Sequence, residues 1–98
     1  MKKLVVTLTV AAAGDIRDIA RDNSNVARKF EDEFWLAVDR ICVFPRTGYA
    51  IPRPDGAFLA IRVSPRFKRY SIVYRLLNED ALEIVRVLHS ARDIRVLL

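Results

Sequence analysis

The sequence predicts an α+β fold in which a helical hairpin packs on a small, mainly antiparallel sheet. Two observations carry this prediction. The apolar residues recur with a helical period as far as residue 43, and with a strand-like period after a break at residues 45–56 that is rich in proline and glycine. We expect the element order β-α-α-β-β-β. Because 98 residues suffice for one domain only, we expect a single domain over residues 1–98.

The first strand is predicted over residues 3–9, which are rich in valine and threonine. A basic start followed by a short apolar run is also typical of a secretory signal. Two threonines interrupt the run, and the expected sheet needs a strand here, so we favour the strand. Because no segment approaches the length of a transmembrane helix, we expect a soluble, cytoplasmic protein with no membrane partner.

Two helices are predicted to follow, at residues 11–22 and 25–43. In the first helix, Ile16, Ile19 and Ala20 share one face. The second helix has the clearest periodic signal in the chain, with apolar residues at spacings of three and four: Val26, Ala27, Phe30, Phe34, Ala37, Val38 and Ile41. Since a short polar segment separates the two, they are expected to form a helical hairpin.

Beyond the break at 45–56, where we expect no regular structure, three strands are predicted at residues 57–63, 69–77 and 81–89. Their connections are short enough for hairpins, so they are expected to form an antiparallel meander with the helical hairpin on one face. Alternation along the middle strand places three residues on one face: Tyr70, Ile72 and Tyr74.

The charge of the chain is unevenly distributed. It has 17 basic and 12 acidic residues, a net charge of +5, and residues 1–44 contain as many acidic as basic side chains. The whole excess therefore lies in residues 45–98, which predicts a neutral scaffold carrying a basic surface for an acidic partner. Eight residues are the candidates for binding that partner: Arg62, Arg66, Lys68, Arg69, Arg75, Arg86, Arg92 and Arg95.

The sequence gives little support for a catalytic or metal site. The single cysteine, Cys42, excludes an internal disulfide and a thiol-only metal site, and we expect no metal and no cofactor. Cys42 and Trp35 lie beside the apolar stripe of the second helix and are interpreted as packing residues. His89 is the only histidine, and the sequence shows no partner for it in acid–base chemistry. His89 and Arg92 are therefore weak catalytic candidates, and a structural role is favoured for both.

Three stretches of the chain resemble a known family. The first is residues 15–23, in the first helix and its turn. The second is residues 26–48, which end in a loop of the form hydrophobic-P-x-x-G. The third is the strand 70–74 together with the motif V-L-H-x-x-R-D-I at 87–94. They are similar to the RelE/ParE superfamily of toxins from bacterial type II toxin–antitoxin systems, and the third is typical of its ParE-like branch.

The resemblance implies one of two activities. RelE-like toxins cut messenger RNA on the ribosome with clustered basic residues and a C-terminal tyrosine, without a metal, whereas ParE-like toxins inhibit DNA gyrase and perform no chemistry. The five ribonuclease positions fall at Phe58, Ala60, Ser71, Arg92 and close to Leu98. Only Arg92 suits that chemistry, since the other side chains cannot supply the base, the acid or the positive charge that it needs. A gyrase inhibitor is therefore favoured over a messenger RNA endoribonuclease.

A third hypothesis is a basic module that binds an antitoxin and is not toxic. In this superfamily a small antitoxin neutralises the toxin, and its C-terminal segment wraps around the toxin as a helix in a groove or as an added strand. The resemblance also makes the N-terminal segment an edge strand. We expect a cognate antitoxin with an acidic C-terminal segment, a toxin–antitoxin hetero-oligomer, and growth arrest when the toxin is free.

Overall fold

The computed structural model describes residues 3–22, 27–51, 58–67 and 69–89. Its elements follow the predicted order with one added strand, β2: β1 (Val5–Leu8), α1 (Val10–Asp22), α2 (Ala27–Val43), β2 (Tyr49–Ala50), β3 (Leu59–Arg62), β4 (Tyr70–Asn78) and β5 (Ala81–His89). The described strands form one sheet in the order β1-β5-β4-β3-β2. β1 runs parallel to β5 and every other pair of neighbours is antiparallel. The α+β prediction is confirmed, with the N-terminal strand at one edge of the sheet.

The main core lies between the two helices and one face of the sheet. The apolar stripe of α2 predicted from the sequence is buried, and so is the predicted face of β4, with Ile72 and Tyr74 fully buried against the helices. Phe30 packs edge-on against Phe67 and Tyr70, with ring centroids 5.4 and 5.5 Å apart. Aromatic rings prefer this edge-on geometry. The contacts join α2 to the turn between β3 and β4 and to the start of β4.

Helix α1 closes the edge of β5 beyond the end of β1. The Thr9 hydroxyl donates to the Val85 carbonyl at 2.7 Å and accepts from the Ala12 N–H at 3.0 Å, which caps α1. One turn later, the Asp15 carboxylate accepts from the Val87 N–H at 2.9 Å. Backbone groups of β5 that have no β1 partner are therefore satisfied by side chains of α1, which prevents another strand from pairing there.

A register shift in β5 makes this arrangement possible. Val73 pairs with Arg86, but the next residue of β4, Tyr74, pairs with Ile84, so Val85 is the extra residue of a β-bulge. A bulge changes the direction of the side chains that follow it. Arg86 can therefore reach the Asp15 carboxylate, to which it donates two hydrogen bonds of 2.8 and 2.9 Å.

The second face of the sheet has a smaller apolar cluster of four buried residues: Ile51, Ala60, Val73 and Leu88. Phe58 and Val85 pack against it. The alternation predicted for β4 is confirmed, since Val73 and Ile72 belong to opposite clusters.

The prediction that residues 45–56 contain no regular structure is wrong at Tyr49–Ala50, which form the short strand β2. It pairs with β3 through Tyr49 and Ala60, and the pairing continues with a hydrogen bond from the Ile51 N–H to the Phe58 carbonyl at 3.0 Å. Two residues are too few to show a period in the sequence. None of the described helices is both long and apolar enough to span a bilayer.

Candidate partner-binding surface

The loop after α2 is held in place by a tyrosine from the middle of the sheet. The Tyr74 hydroxyl donates to the Pro45 carbonyl at 2.7 Å and accepts from the Gly48 N–H at 3.1 Å. Burial raises the pKa of the Tyr74 phenol, while the Gly48 N–H acts in the opposite direction. Because the phenol is neutral at physiological pH, it keeps the proton that it donates to Pro45 and fixes the loop at both ends.

Gly48 occupies a position that has no room for a side chain. A Cβ atom on Gly48 would lie 2.7 Å from the Tyr74 hydroxyl oxygen and 2.9 Å from the Ala60 carbonyl oxygen. These distances are shorter than van der Waals contact, so a larger residue would displace the loop from the sheet. The hydrophobic-P-x-x-G loop noted in the sequence thus has a physical explanation, because the glycine lets the chain approach β3 closely enough to continue as β2.

The fixed loop forms a trough between the C-terminal end of α2 and the outer edge of β3. The trough has two adjoining parts, with cavity volumes of about 370 and 390 Å³, and Thr47 lines both. One part is lined by Arg40, Thr47, Tyr49, Ala60, Ile61, Arg62, Ser64 and Pro65. The other is lined by Val43, Phe44, Pro45, Arg46 and Thr47. We refer to this surface as the β3 trough.

Large apolar side chains are exposed in and next to the β3 trough. Phe44 is 51% exposed and Tyr49 is 52% exposed. Leu36, which is 59% exposed, lies one helical turn before Arg40, and Phe44 lies one turn after it. Exposed apolar groups that lie together in this way are typical of interaction sites, whereas isolated ones are common on any protein surface.

The arginines of the β3 trough lie on a surface whose lining, among the described residues, contains no acidic side chain. Arg40 and Arg46 are exposed, and neither contacts a carboxylate within the described ranges. Arg62 lines the same trough. The sequence did not single out these two residues, because Arg40 lies in the neutral half of the chain and Arg46 lies in the break at 45–56, where no regular structure was expected. One signal in the sequence could have pointed to Arg40. The apolar residues Leu36 and Phe44 lie four residues before and after it, on a side of α2 away from the buried stripe.

Two residues of the sequence-predicted basic set are paired inside the molecule. Arg75 donates to Glu83 at 2.9 Å across β4 and β5, and Arg86 is held by Asp15. Arg66 and Arg69 lie exposed on the turn between β3 and β4, close to the end of the β3 trough at Pro65. Lys68, Arg92 and Arg95 lie outside the described residues. The predicted set is therefore divided between structural ion pairs and an exposed group beside the β3 trough.

The ribonuclease positions that can be described are on the second face of the sheet. Phe58 and Ala60 belong to its apolar cluster, and Ser71 is fully buried on β4, where it pairs with Arg62 of β3. Arg92 and Leu98 lie outside the described residues. His89 ends β5, and its ring packs edge-on against Tyr70 at 6.1 Å on the other face. The structure therefore does not bring His89 together with Phe58, Ala60 or Ser71.

The residues expected to pack do so to different degrees. Cys42 is buried, as predicted, and burial raises the pKa of its thiol, which opposes formation of the reactive thiolate. Trp35 is 46% exposed, and its ring packs edge-on against Phe34 at 4.9 Å. Among the described residues, no cluster of three or more histidine, cysteine, aspartate and glutamate side chains could hold a metal ion.

Comparison with known protein families gives one result that covers most of the chain. The model of a family described as "ParE toxin of type II toxin-antitoxin system, parDE" matches residues 6–94. That range includes every described helix and all but the first residue of the described strands. No curated protein is similar enough to the chain to count as a match.

Proposed function

Because the chain belongs to the ParE toxin family of type II toxin–antitoxin systems, we propose that it inhibits DNA gyrase and is neutralised by a cognate antitoxin. The family match over residues 6–94 is the observation that carries the proposal. In this proposal residues 1–98 act as one toxin domain in the cytoplasm, and the free toxin arrests growth. The antitoxin forms a hetero-oligomer with it, through an acidic C-terminal segment.

The side chains at the ribonuclease positions support an inhibitor that performs no chemistry. Attack by a ribose 2′-hydroxyl needs a base to accept its proton and an acid for the leaving group. Phe58 and Ala60 can do neither, and Ser71 is buried, with no exposed surface from which to reach a substrate. The second face of the sheet at these positions is suited to packing, which favours gyrase inhibition over cleavage of messenger RNA.

The exposed arginines supply a surface for a target that carries DNA. Arg62, Arg66 and Arg69 lie on β3 and on the turn that follows it, and all three are exposed. Gyrase holds DNA during strand passage, and the phosphates give that complex a strong negative potential. We assign the target contacts to these three arginines, together with the charges that lie outside the described residues: Lys68, Arg92 and Arg95. Arg75 and Arg86 are excluded from that set, because each already has a carboxylate partner.

Purified toxin, DNA gyrase and relaxed plasmid in the presence of ATP provide the test. We expect loss of supercoiling and accumulation of linear DNA after denaturation of the complex, both reversed when the protein encoded by the neighbouring reading frame is added. A parallel reaction with ribosomes and messenger RNA should show no cleavage. Cleavage of the RNA with normal supercoiling would instead establish the ribonuclease. Antitoxin binding without either effect would establish a module that is not toxic.

A further inference from the structure

We propose that the β3 trough binds a peptide segment that combines large apolar side chains with carboxylates. This inference rests on the proposed function, in which that segment belongs to the antitoxin, and it gives the segment a location on the toxin. The location is the end of α2, the loop fixed by Tyr74 and the outer edge of β3.

The apolar part of the segment is argued from exposure. Phe44, Tyr49 and Leu36 together expose a large apolar area around a concave surface, and burying such area is the main driving force of association. Two adjoining cavities of about 370 and 390 Å³ are large enough to accept several side chains of a peptide. A ligand that presents only phosphate groups would leave these apolar side chains in contact with water.

The carboxylates of the segment are argued from charge. Arg40 and Arg46 contribute two positive charges that no described carboxylate contacts, and Arg62 adds a third positive charge to the trough. Where described cations of the fold are paired, their partners are carboxylates, as in Lys3 with Asp39 at 2.7 Å and Arg86 with Asp15 at 2.8 Å. An acidic ligand would complete the same pattern from outside the molecule.

The same charges argue against a second copy of this chain as the occupant. In a two-fold symmetric contact, each surface meets an identical surface. The lining of the β3 trough has arginines and no acidic side chain among the described residues, so two such surfaces in contact would bring like charges together, which is costly. A separate chain with the opposite charge has no such conflict.

The β3 trough is also held in the shape that it presents. Tyr74 fixes Pro45 and Gly48, and the Thr47 N–H donates to the Phe44 carbonyl at 3.2 Å within the same loop. A surface that is already ordered loses little conformational entropy when a ligand binds. The other side of the sheet, at β5, offers no equivalent site. There the Val85 carbonyl already accepts from the Thr9 hydroxyl, and the Val87 N–H already donates to Asp15.

Two synthetic peptides test the site without the antitoxin. Both carry leucine and phenylalanine at helical spacing; one has glutamate and the other lysine at every charged position. Titrated into the ¹⁵N-labelled chain, the glutamate peptide should shift the amide signals of Thr47, Tyr49 and Ile61. In the double variant Arg40→Glu/Arg46→Glu its affinity should fall by at least about tenfold. The double variant Arg28→Glu/Lys29→Glu, on the exposed first turn of α2, changes the net charge by the same amount; it is the matched control and should change affinity by less than about twofold.

Several results would overturn the proposal. Three concern the peptides: equal binding of the lysine peptide, shifts confined to other residues, and an equal loss of affinity in Arg28→Glu/Lys29→Glu. Two concern other occupants: tighter binding of a short DNA duplex at the same amide signals, and self-association that Arg46→Glu abolishes. Because the shifts are mapped on the unaltered chain, a double variant that fails to fold does not remove the test.

The cognate antitoxin separates this proposal from the proposed function. If it binds the double variant as tightly as the unaltered chain, the β3 trough is not the site, and the assignment as a toxin stands. If no neighbouring protein binds, but the glutamate peptide maps to the trough, the antitoxin part of the proposed function fails and the binding site stands.

Discussion

At one edge of the sheet, Arg86 is held by both carboxylate oxygens of Asp15, which also accepts the Val87 N–H. At the opposite edge, Arg40 and Arg46 face solvent without contact to any described carboxylate. We call the first region the α1 edge and the second the β3 trough. Satisfied polar groups stabilise the fold at the α1 edge, whereas the charges of Arg40 and Arg46 in the β3 trough remain available to a partner. The comparison teaches that arginines of one protein have different roles depending on whether a carboxylate of the same chain contacts them.

Two glycine substitutions give the largest expected contrast between the regions. Gly48→Ala in the β3 trough should lower the free energy of unfolding by about 3 kcal/mol, because the new Cβ would overlap the Tyr74 hydroxyl and the Ala60 carbonyl. Gly14→Ala in α1 should raise the free energy of unfolding by about 0.5–1 kcal/mol. A Cβ added there would meet no atom outside its own helix within 4 Å, and alanine favours a helix. Urea unfolding of both variants measures the difference, and changes of the same sign would refute it.

The next contrast is between two aspartates. Asp15→Ala should cost about 2 kcal/mol, because it leaves the half-buried Arg86 and the Val87 N–H without an acceptor. Asp39→Ala removes the Asp39–Lys3 ion pair, in which both side chains are more than half exposed, and should cost far less than Asp15→Ala. Thermal unfolding followed by circular dichroism compares the two. If the two losses are equal, the α1 edge is not stabilised as described.

Removal of one hydroxyl group tests the loop of the β3 trough. Tyr74→Phe should cost about 1.5 kcal/mol, since the Pro45 carbonyl and the Gly48 N–H each lose a buried partner. Tyr49→Phe is the control, because the Tyr49 ring is half exposed, and it should change stability by less than about 0.5 kcal/mol. Hydrogen exchange at the Gly48 amide provides a second measurement, and it should be faster in Tyr74→Phe only.

The smallest expected effect is on alkaline stability. Burial raises the pKa of Tyr74 above its ordinary value of 10.0 in the folded chain only. Below pH 10.0 both states keep the proton; above it the unfolded chain ionises first, so the free energy of unfolding falls as pH rises. The fall should be shallower in Tyr74→Phe. Burial of Cys42 acts in the same direction in both proteins and cancels, so equal slopes would contradict the prediction.

The sequence was sufficient for features that repeat along the chain. The stripe through Phe30, Phe34 and Ile41 predicted α2 and its buried face, and alternation predicted the two faces of β4. The strand β2 could not be predicted, because it depends on contact between Gly48 and Tyr74, which are 26 residues apart. A pattern that extends over only two residues carries no periodic signal.

The site was harder to predict than the fold because its charges are distinguished by their neighbours. Arg86 was a candidate for binding on charge alone, yet its partner Asp15 lies 71 residues away in the chain. Arg40 appeared to be one of the solvated residues of α2, and only the folded chain places it beside Thr47 and Arg62. Residue counts predicted a basic half, but not which of its charges remain exposed.

The parallel pairing of β1 with β5 has a consequence for the order in which the chain folds as it is synthesised. Val5 pairs with Ala81 and Leu8 with Ile84, so β1, which is synthesised before the other described strands, needs the last of them as its neighbour. The hairpin of β4 and β5 needs only local contacts, so it can form as soon as its two strands have emerged, whereas β1 must wait for a strand that is synthesised much later. Until residues 81–84 have emerged, β1 has no sheet to join, and a nascent chain cannot complete this toxin fold.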